Sequence, residues 1–362
     1  MSSTLPEITP PTTTSAWLER DITHMANVIA LMMRKGGAGK TTLLLLLADA
    51  LARFGLRVLV VDLDPQGNAS IGLGHKVELV ETGTTRLGAK PILTPTVPTV
   101  VDVIEADEEG VATQAIQIVD WGYDSEEAFH LGGPLFPNKI GTIGLISCYR
   151  ALETAATAWK PSELERLAKA LLIPAETGEP APNCEWDVVL IDTPPGGSLI
   201  SVQAAMAAHR ALFVTQAEKF GVEAIPETLL LVGDVKDNYR HDELDVLGLV
   251  FNEYVDRSIT QRTLITQVEE NRNQGIAGFG IPVLDGRLPN YTVVGKSQNA
   301  EAPLSAYLAA NERETAQKVC QNAEVIALQM LKKIEHPETS KIKAAWSKAW
   351  PEAMRTPIIR SA

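Results

Sequence analysis

The segment Lys35-Gly36-Gly37-Ala38-Gly39-Lys40-Thr41-Thr42 lies between a short apolar run, Val28 to Met33, and an unbroken Leu/Ala-rich stretch, Thr41 to Phe54, and no other stretch of the chain narrows the possible folds as much. Glycines at 36, 37 and 39 let the backbone turn sharply, so that its N–H groups can converge on one point. The helix expected from the Leu/Ala stretch begins at that point and adds the positive end of its dipole. Such a cradle suits phosphate oxygens: Lys40 supplies a positive charge to the β- and γ-phosphates of a nucleotide, and the Thr41 hydroxyl supplies a ligand for Mg2+. Gly55 is the expected stop for the helix, and Val58 to Asp62 follows as a second apolar run. The unit is therefore strand, loop, helix, strand, and its crossover makes the two strands parallel.

Further runs of the same kind are Val188 to Asp192, Ala211 to Thr215 and Val246 to Asn252. Continuous short apolar runs are what strands covered on both faces look like. The expected fold class is thus α/β, a twisted and mostly parallel sheet with helices on both faces. Residues 75–140 lack this rhythm, carrying several Pro and Gly and an acidic stretch from Asp102 to Glu109, and are expected to form an irregular peripheral insertion. Pro174 to Asn183 reads as a second loop, and Glu312 to Glu335 as a long helix ended by Pro337. The expected organisation is a Ser/Thr/Pro-rich arm over 1–24, one domain over 25–335, and a basic amphipathic tail over 336–362.

Composition removes several alternatives. No run approaches the ~20 apolar residues of a membrane-spanning helix; the longest, Leu43 to Ala48, stops at Asp49. The first sixteen residues lack the basic opening and apolar stretch of a secretory leader. Cys148, Cys184 and Cys320 are odd in number and widely spaced, which argues against a disulfide framework and fits reduced thiols in a cytoplasm. A formal charge of −13 means that any grip on nucleic acid must come from local basic groups rather than the whole body.

Two acids complete the pattern. Asp64 follows the second run in Asp62-Leu63-Asp64-Pro65-Gln66-Gly67-Asn68, and Asp192 ends the run Trp186-Asp187-Val188-Val189-Leu190-Ile191-Asp192 before Thr193-Pro194-Pro195-Gly196-Gly197. Acids at the carboxyl ends of neighbouring strands lie at the rim where α/β sheets bind ligands. The ordinary loop GxxxxGK[ST] would need a glycine at 34, which is Arg34. With its extra leading lysine, the loop instead resembles the deviant Walker A motif of the ParA/MinD superfamily of P-loop NTPases, and the chain resembles the ParA family over roughly 25–310. The resemblance implies ATP and Mg2+ as cofactors, bound by Lys35 to Thr42, with Thr41 and Asp192 at the metal. It implies that Asp64 orients the attacking water, Asp62 being the alternative with Asp64 a turn former, and that Lys35 reaches across an ATP-sandwich homodimer to the partner subunit's nucleotide.

Weaker matches extend the picture. Asn252, at a strand end, and Pro289, in Arg287-Leu288-Pro289-Asn290, are placed like the family's contacts to the nucleotide base; an Asn there also suits a plain turn. Arg257 stands where ParA proteins carry a DNA-binding arginine, or is a solvated surface group, whereas Pro289 to Pro303 lacks the family's arginines. In the tail, Lys341, Lys343, Lys348, Arg355 and Arg360 accompany Ile342, Trp346 and Trp350 on one helical face, which suits DNA, a membrane surface or a partner, or docking on the protein's own body. The expected function is a slow, partner-stimulated ATPase of plasmid or chromosome partition, with non-specific DNA and a ParB-type protein as partners. A MinD-like positioning ATPase on a membrane or protein scaffold is the alternative. An iron–sulfur electron carrier sharing the loop would need paired cysteines, and Cys148 and Cys184 both precede the Asp192 strand.

Overall fold

Ten strands form in the order β1 (Asn27–Met32), β2 (Arg57–Asp62), β3 (Leu79–Thr84), β4 (Pro91–Pro95), β5 (Ile116–Ile118), β6 (Thr142–Ile146), β7 (Val188–Asp192), β8 (Arg210–Gln216), β9 (Asp245–Tyr254) and β10 (Val283–Pro289) among the described residues. The computed structural model describes residues 27–84, 91–121, 141–171, 186–239, 241–255, 257–306 and 312–350. The arm over 1–24, the loop from Pro174 to Asn183, Cys184, Arg355 and Arg360 lie outside them.

Eight strands make one sheet, ordered β10-β9-β8-β1-β7-β2-β6-β5, parallel throughout except for β5, which runs antiparallel to β6. The apolar runs of the sequence occupy its middle, where β1, β2 and β7 are buried along nearly their whole length. In register, Asp192 lies beside Leu31 of β1 and beside Asp62 of β2, so the strand ends carrying the acids meet at one rim.

Helices cover both faces. The Lys40–Arg53, Arg313–Lys333 and Thr339–Ala349 helices pack on one side, and the Val100–Ala106, Leu199–Ala207, Lys219–Tyr239 and Ile259–Asn273 helices on the other. The Lys40–Arg53 helix is apolar around its circumference because the sheet covers one side of it and the Arg313–Lys333 helix another.

Of the region 75–140, the structure describes residues 75–84 and 91–121. Among these, the antiparallel β3–β4 pair lies outside the main sheet, with Val80, Ile92 and Leu93 exposed. The Val100–Ala106 helix buries Val100 and Ile104 in the core, and β5 extends the main sheet. The acid that opens the acidic stretch is a cap: the Thr99 backbone N–H and hydroxyl both donate to Asp102 Oδ2, at 2.7 and 2.9 Å. In the tail, Ile342, Trp346 and Trp350 of the last helix are all buried on the protein's own body.

Candidate functional site

The glycine loop joins β1 to the Lys40–Arg53 helix, and its shape follows from two left-handed glycines, Gly37 at φ 70° and Gly39 at φ 89°. Gly39 is doubly required, since a Cβ there would fall 1.8 Å from Asn252 Nδ2. That amide instead donates to the Ala38 carbonyl at 3.2 Å. Asn252 therefore props the phosphate loop from beneath, at the end of β9, a task its strand-end position alone did not disclose.

Lys40 opens the helix with its side chain folded back under the loop, 6% exposed, its Nζ 3.5 Å from the Met33 carbonyl. Burial lowers its pKa from the ordinary lysine value, and the nearby Asp192 and Asp64 carboxylates offset this only in part. The next residue, Thr41, donates its hydroxyl to Asp192 Oδ2 at 2.6 Å. Asp192 is buried completely; burial, reinforced by Asp62, pushes its pKa up to about 8 against the opposing pull of Thr41 and Lys40. Its other oxygen, Oδ1, is buried with no hydrogen-bond partner among the described residues.

Asp62 and Asp64 have different tasks. Asp62 is buried and accepts from the Ser70 backbone and hydroxyl at 2.8 and 2.7 Å and from the Asp64 backbone at 3.0 Å, which pins the turn after β2. Burial still raises its pKa to about 6. Asp64 accepts from the Gln66 backbone N–H at 3.0 Å, as the turn-forming alternative expects, and it also lines a cavity of about 420 Å3 shared with the loop residues 37–42, Asn68, Thr193 and Pro195. Thr193 donates to the Leu31 carbonyl at 2.6 Å, and the Gly196 N–H donates to the Arg34 carbonyl at 2.9 Å, so the turn after β7 is tied to the strand and loop that precede the cradle.

A second cavity of about 200 Å3 adjoins the first and is lined by Asn252, Leu288, Pro289, Asn290, Tyr291 and Val294 among others. Pro289 thus lies at a slot of mixed polar and apolar lining beside the first cavity. Thr42, Glu253 and Gln298 line both cavities, and Gln298 donates to the Thr42 hydroxyl at 3.3 Å.

Lys35 does not line its own chain's cavity. Its Nζ bonds Gln216 Oε1 at 3.0 Å and Glu218 Oε2 at 3.2 Å, while Gln216 Nε2 donates to the Gly37 carbonyl at 3.2 Å. Gln216, Glu218, Gln298 and Glu253 had no signal in the sequence, because each meets the loop only through the order of the strands.

The basic candidates are not gathered. Arg257 is exposed ahead of the Ile259–Asn273 helix on one face of the sheet; Lys341, Lys343 and Lys348 are exposed on the last helix, on the other face, with Lys341 3.0 Å from Glu338.

The donor set fits magnesium. A threonine hydroxyl and a buried carboxylate with an unpartnered oxygen are hard oxygen ligands, and Mg2+ characteristically takes few protein ligands together with phosphates and water. No group of three or more His, Cys, Asp or Glu that could hold a metal ion occurs among the described residues. Nor is any described helix long and apolar enough to cross a membrane.

The chain has relatives among known proteins. Residues 29–304 match the family described as the CobQ/CobB/MinD/ParA nucleotide binding domain. The chain is 29% identical over 278 residues to the chromosome-partitioning ATPase Soj of Thermus thermophilus, covering 76% of this chain and 89% of that one. It is 26% identical over 292 residues to the chromosome partitioning protein ParA of Caulobacter vibrioides, covering 77% and 86%. Among solved structures, a Cyanothece McdA variant in complex with ATP superposes with a TM-score of 0.58 at 20% identity, over 83% of this chain and 96% of that one, a likeness of fold.

Proposed function

The chain belongs to the CobQ/CobB/MinD/ParA family of nucleotide-binding domains, and from that premise we propose that it is a Mg-ATP-dependent dimerising switch of partition type. The observation that carries this reading is the Thr41–Asp192 pair, with its unpartnered carboxylate oxygen, beside a glycine cradle that buries Lys40. Bound Mg-ATP supplies a triphosphate whose terminal bond can be hydrolysed. The backbone of Gly36 to Thr42 and the Lys40 ammonium would hold its phosphates, Thr41 and Asp192 would hold the cation, and Asp64, which lines the cavity, would position water for attack.

Lys35 turns away from its own cavity onto Gln216 and Glu218 at the rim, which supports service to a nucleotide on a second subunit. Hydrolysis would then open the dimer, and the output would be a change in partner affinity. Kinship with the Thermus Soj and Caulobacter ParA proteins favours cargo partition, with a ParB-type stimulating protein and non-specific DNA on the nucleoid. Arg257, Lys341, Lys343 and Lys348 are the local basic groups available for DNA. Burial of Trp346 and Trp350 leaves the last helix without an apolar face for a membrane, which counts against the membrane-scaffold reading.

Sedimentation with Mg-ATP tests the switch. Lys40→Ala should abolish nucleotide binding, and Lys35→Ala should keep binding yet lose the ATP-dependent dimer. A Lys35 variant that still dimerises on ATP would sink the sandwich. Cosedimentation with DNA and with anionic liposomes, with and without ATP, then separates partition from membrane positioning, DNA binding with a steep salt dependence favouring the former.

A further inference from the structure

Glu253 carries a combination that the nucleotide-binding reading leaves unused. It is a non-glycine residue at φ 53°, placed inside β9 where an extended backbone would be ordinary. Its neighbours are buried on either side: Asn252 is committed to the Ala38 carbonyl, and Tyr254 packs into the core under Arg287. The left-handed turn takes Glu253 out of the strand's alternation, so that it lines both the phosphate cavity and the adjoining slot. Backbone strain of this kind persists where surrounding structure enforces it, and it clusters at ligand sites. No ion pair or side-chain hydrogen bond involves the Glu253 carboxylate among the described residues; only its backbone carbonyl is engaged, by Gln261 Nε2 at 3.4 Å.

The two cavities order the parts of a nucleotide. The cradle and Lys40 fix the phosphates in the larger cavity, and the smaller, where Leu288, Pro289, Tyr291 and Val294 stand beside the polar Asn252 and Asn290, suits a base with apolar faces and polar edges. What lies between phosphate and base is the sugar, and the junction is marked by Thr42, Gln298 and Glu253. Gln298 is already spent on Thr42. A carboxylate is a pure acceptor, repelled by phosphate and matched to a vicinal diol that donates two hydrogen bonds. We propose that Glu253 accepts from the ribose hydroxyls, which makes the site selective for ribonucleoside triphosphates over sugars lacking those hydroxyls.

This inference rests on the nucleotide-binding reading, and the test separates the two. Binding of ATP and of 2′,3′-dideoxyATP, both with Mg2+, is measured by calorimetry on the full chain and on Glu253→Gly, a variant whose backbone accepts the left-handed conformation without strain. The full chain should prefer ATP by about tenfold or more, the scale of a hydrogen bond to a charged group. In Glu253→Gly the preference should fall below about threefold, through loss of ATP affinity with dideoxyATP affinity retained. Equal binding of both nucleotides by the full chain, or a preference that survives in Glu253→Gly, overturns the ribose assignment while leaving nucleotide binding intact. Failure of the full chain to bind either nucleotide overturns both.

Discussion

The Lys40–Arg53 helix has a buried cation at each end, and the two ends are built in opposite ways. At its C-terminal end, Arg53 donates to Glu324 Oε1 at 2.5 Å and lies 3.5 Å from Asp49 Oδ2. Each of those carboxylates has a second donor: Ser305 on Asp49 at 2.7 Å, and the Trp346 indole on Glu324 at 2.7 Å. Burial alone would lower the pKa of Arg53, but the two carboxylates more than reverse it. At the N-terminal end, among the described residues, Lys40 reaches only a carbonyl at 3.5 Å and an oxygen of Asp192 has no hydrogen-bond partner, and the pKa of Lys40 stays below the ordinary value. One end holds its cation between two carboxylates of its own chain. The other resembles half of an ion pair, the half that the proposed nucleotide would complete.

The comparison breaks first on single substitutions at the two cations. Arg53→Met leaves two buried carboxylates unmatched and should cost about 3–5 kcal/mol of unfolding free energy. Lys40→Met deletes a charge that burial already penalises and should shift the ligand-free chain by less than about 1 kcal/mol. It should also erase the stabilisation from Mg-ATP, about 2.7 kcal/mol at a hundredfold excess over Kd. Urea unfolding with and without Mg-ATP measures all three, and equal losses from the two ligand-free variants would show that the ends do not differ.

A second contrast is in pH. Burial raises the pKa of Asp62 to about 6 and of Asp192 to about 8, whereas an unfolded carboxylate titrates near about 4. Between those limits the folded chain keeps protons that the unfolded chain has released, so stability should fall as pH rises through the window. The slope is at most about 1.4 kcal/mol per pH unit for each proton. In EDTA, Asp192→Asn should flatten this fall and be more stable than the parent at pH 8 by about 1–3 kcal/mol, the scale of an unsatisfied buried group. Unfolding midpoints from pH 5 to 8 decide it; an unchanged slope in the variant would place the proton elsewhere.

How far each end was legible follows from how it is encoded. The open end is written in eight consecutive residues, each type demanded by phosphate chemistry, and its acids end apolar runs that a doubly covered strand makes recognisable. The closed end was silent, because Arg53 and Glu324 are 271 residues apart and either one alone reads as a surface charge. The same holds for β6, whose central Gly144 reads as a loop residue; the glycine is needed because a Cβ there would lie 2.4 Å from the Trp186 ring. β10 was hidden by Asp285, Gly286 and Arg287, polar or flexible residues that an edge strand accommodates. Asn252 was legible as a residue of the site but not in its task, since the Ala38 carbonyl it holds is 214 positions away.

The smallest expected effect asks whether the two ends communicate. Trp346→Phe keeps an aromatic ring in the buried layer but removes the indole N–H from Glu324, whose other oxygen Arg53 still holds. The loss should be about 1 kcal/mol, a single hydrogen bond to a partly compensated charge. Because the Arg53 cluster holds the last helix rather than the cradle, Mg-ATP affinity should stay within about twofold, equivalent to about 0.4 kcal/mol. Protease cleavage after Lys343 or Lys348 should accelerate, since those exposed lysines lie on the helix that the indole anchors. A drop in nucleotide affinity without faster cleavage would mean that Arg53 transmits its environment along fourteen residues of helix to Lys40, and the two ends would have to be treated as one device.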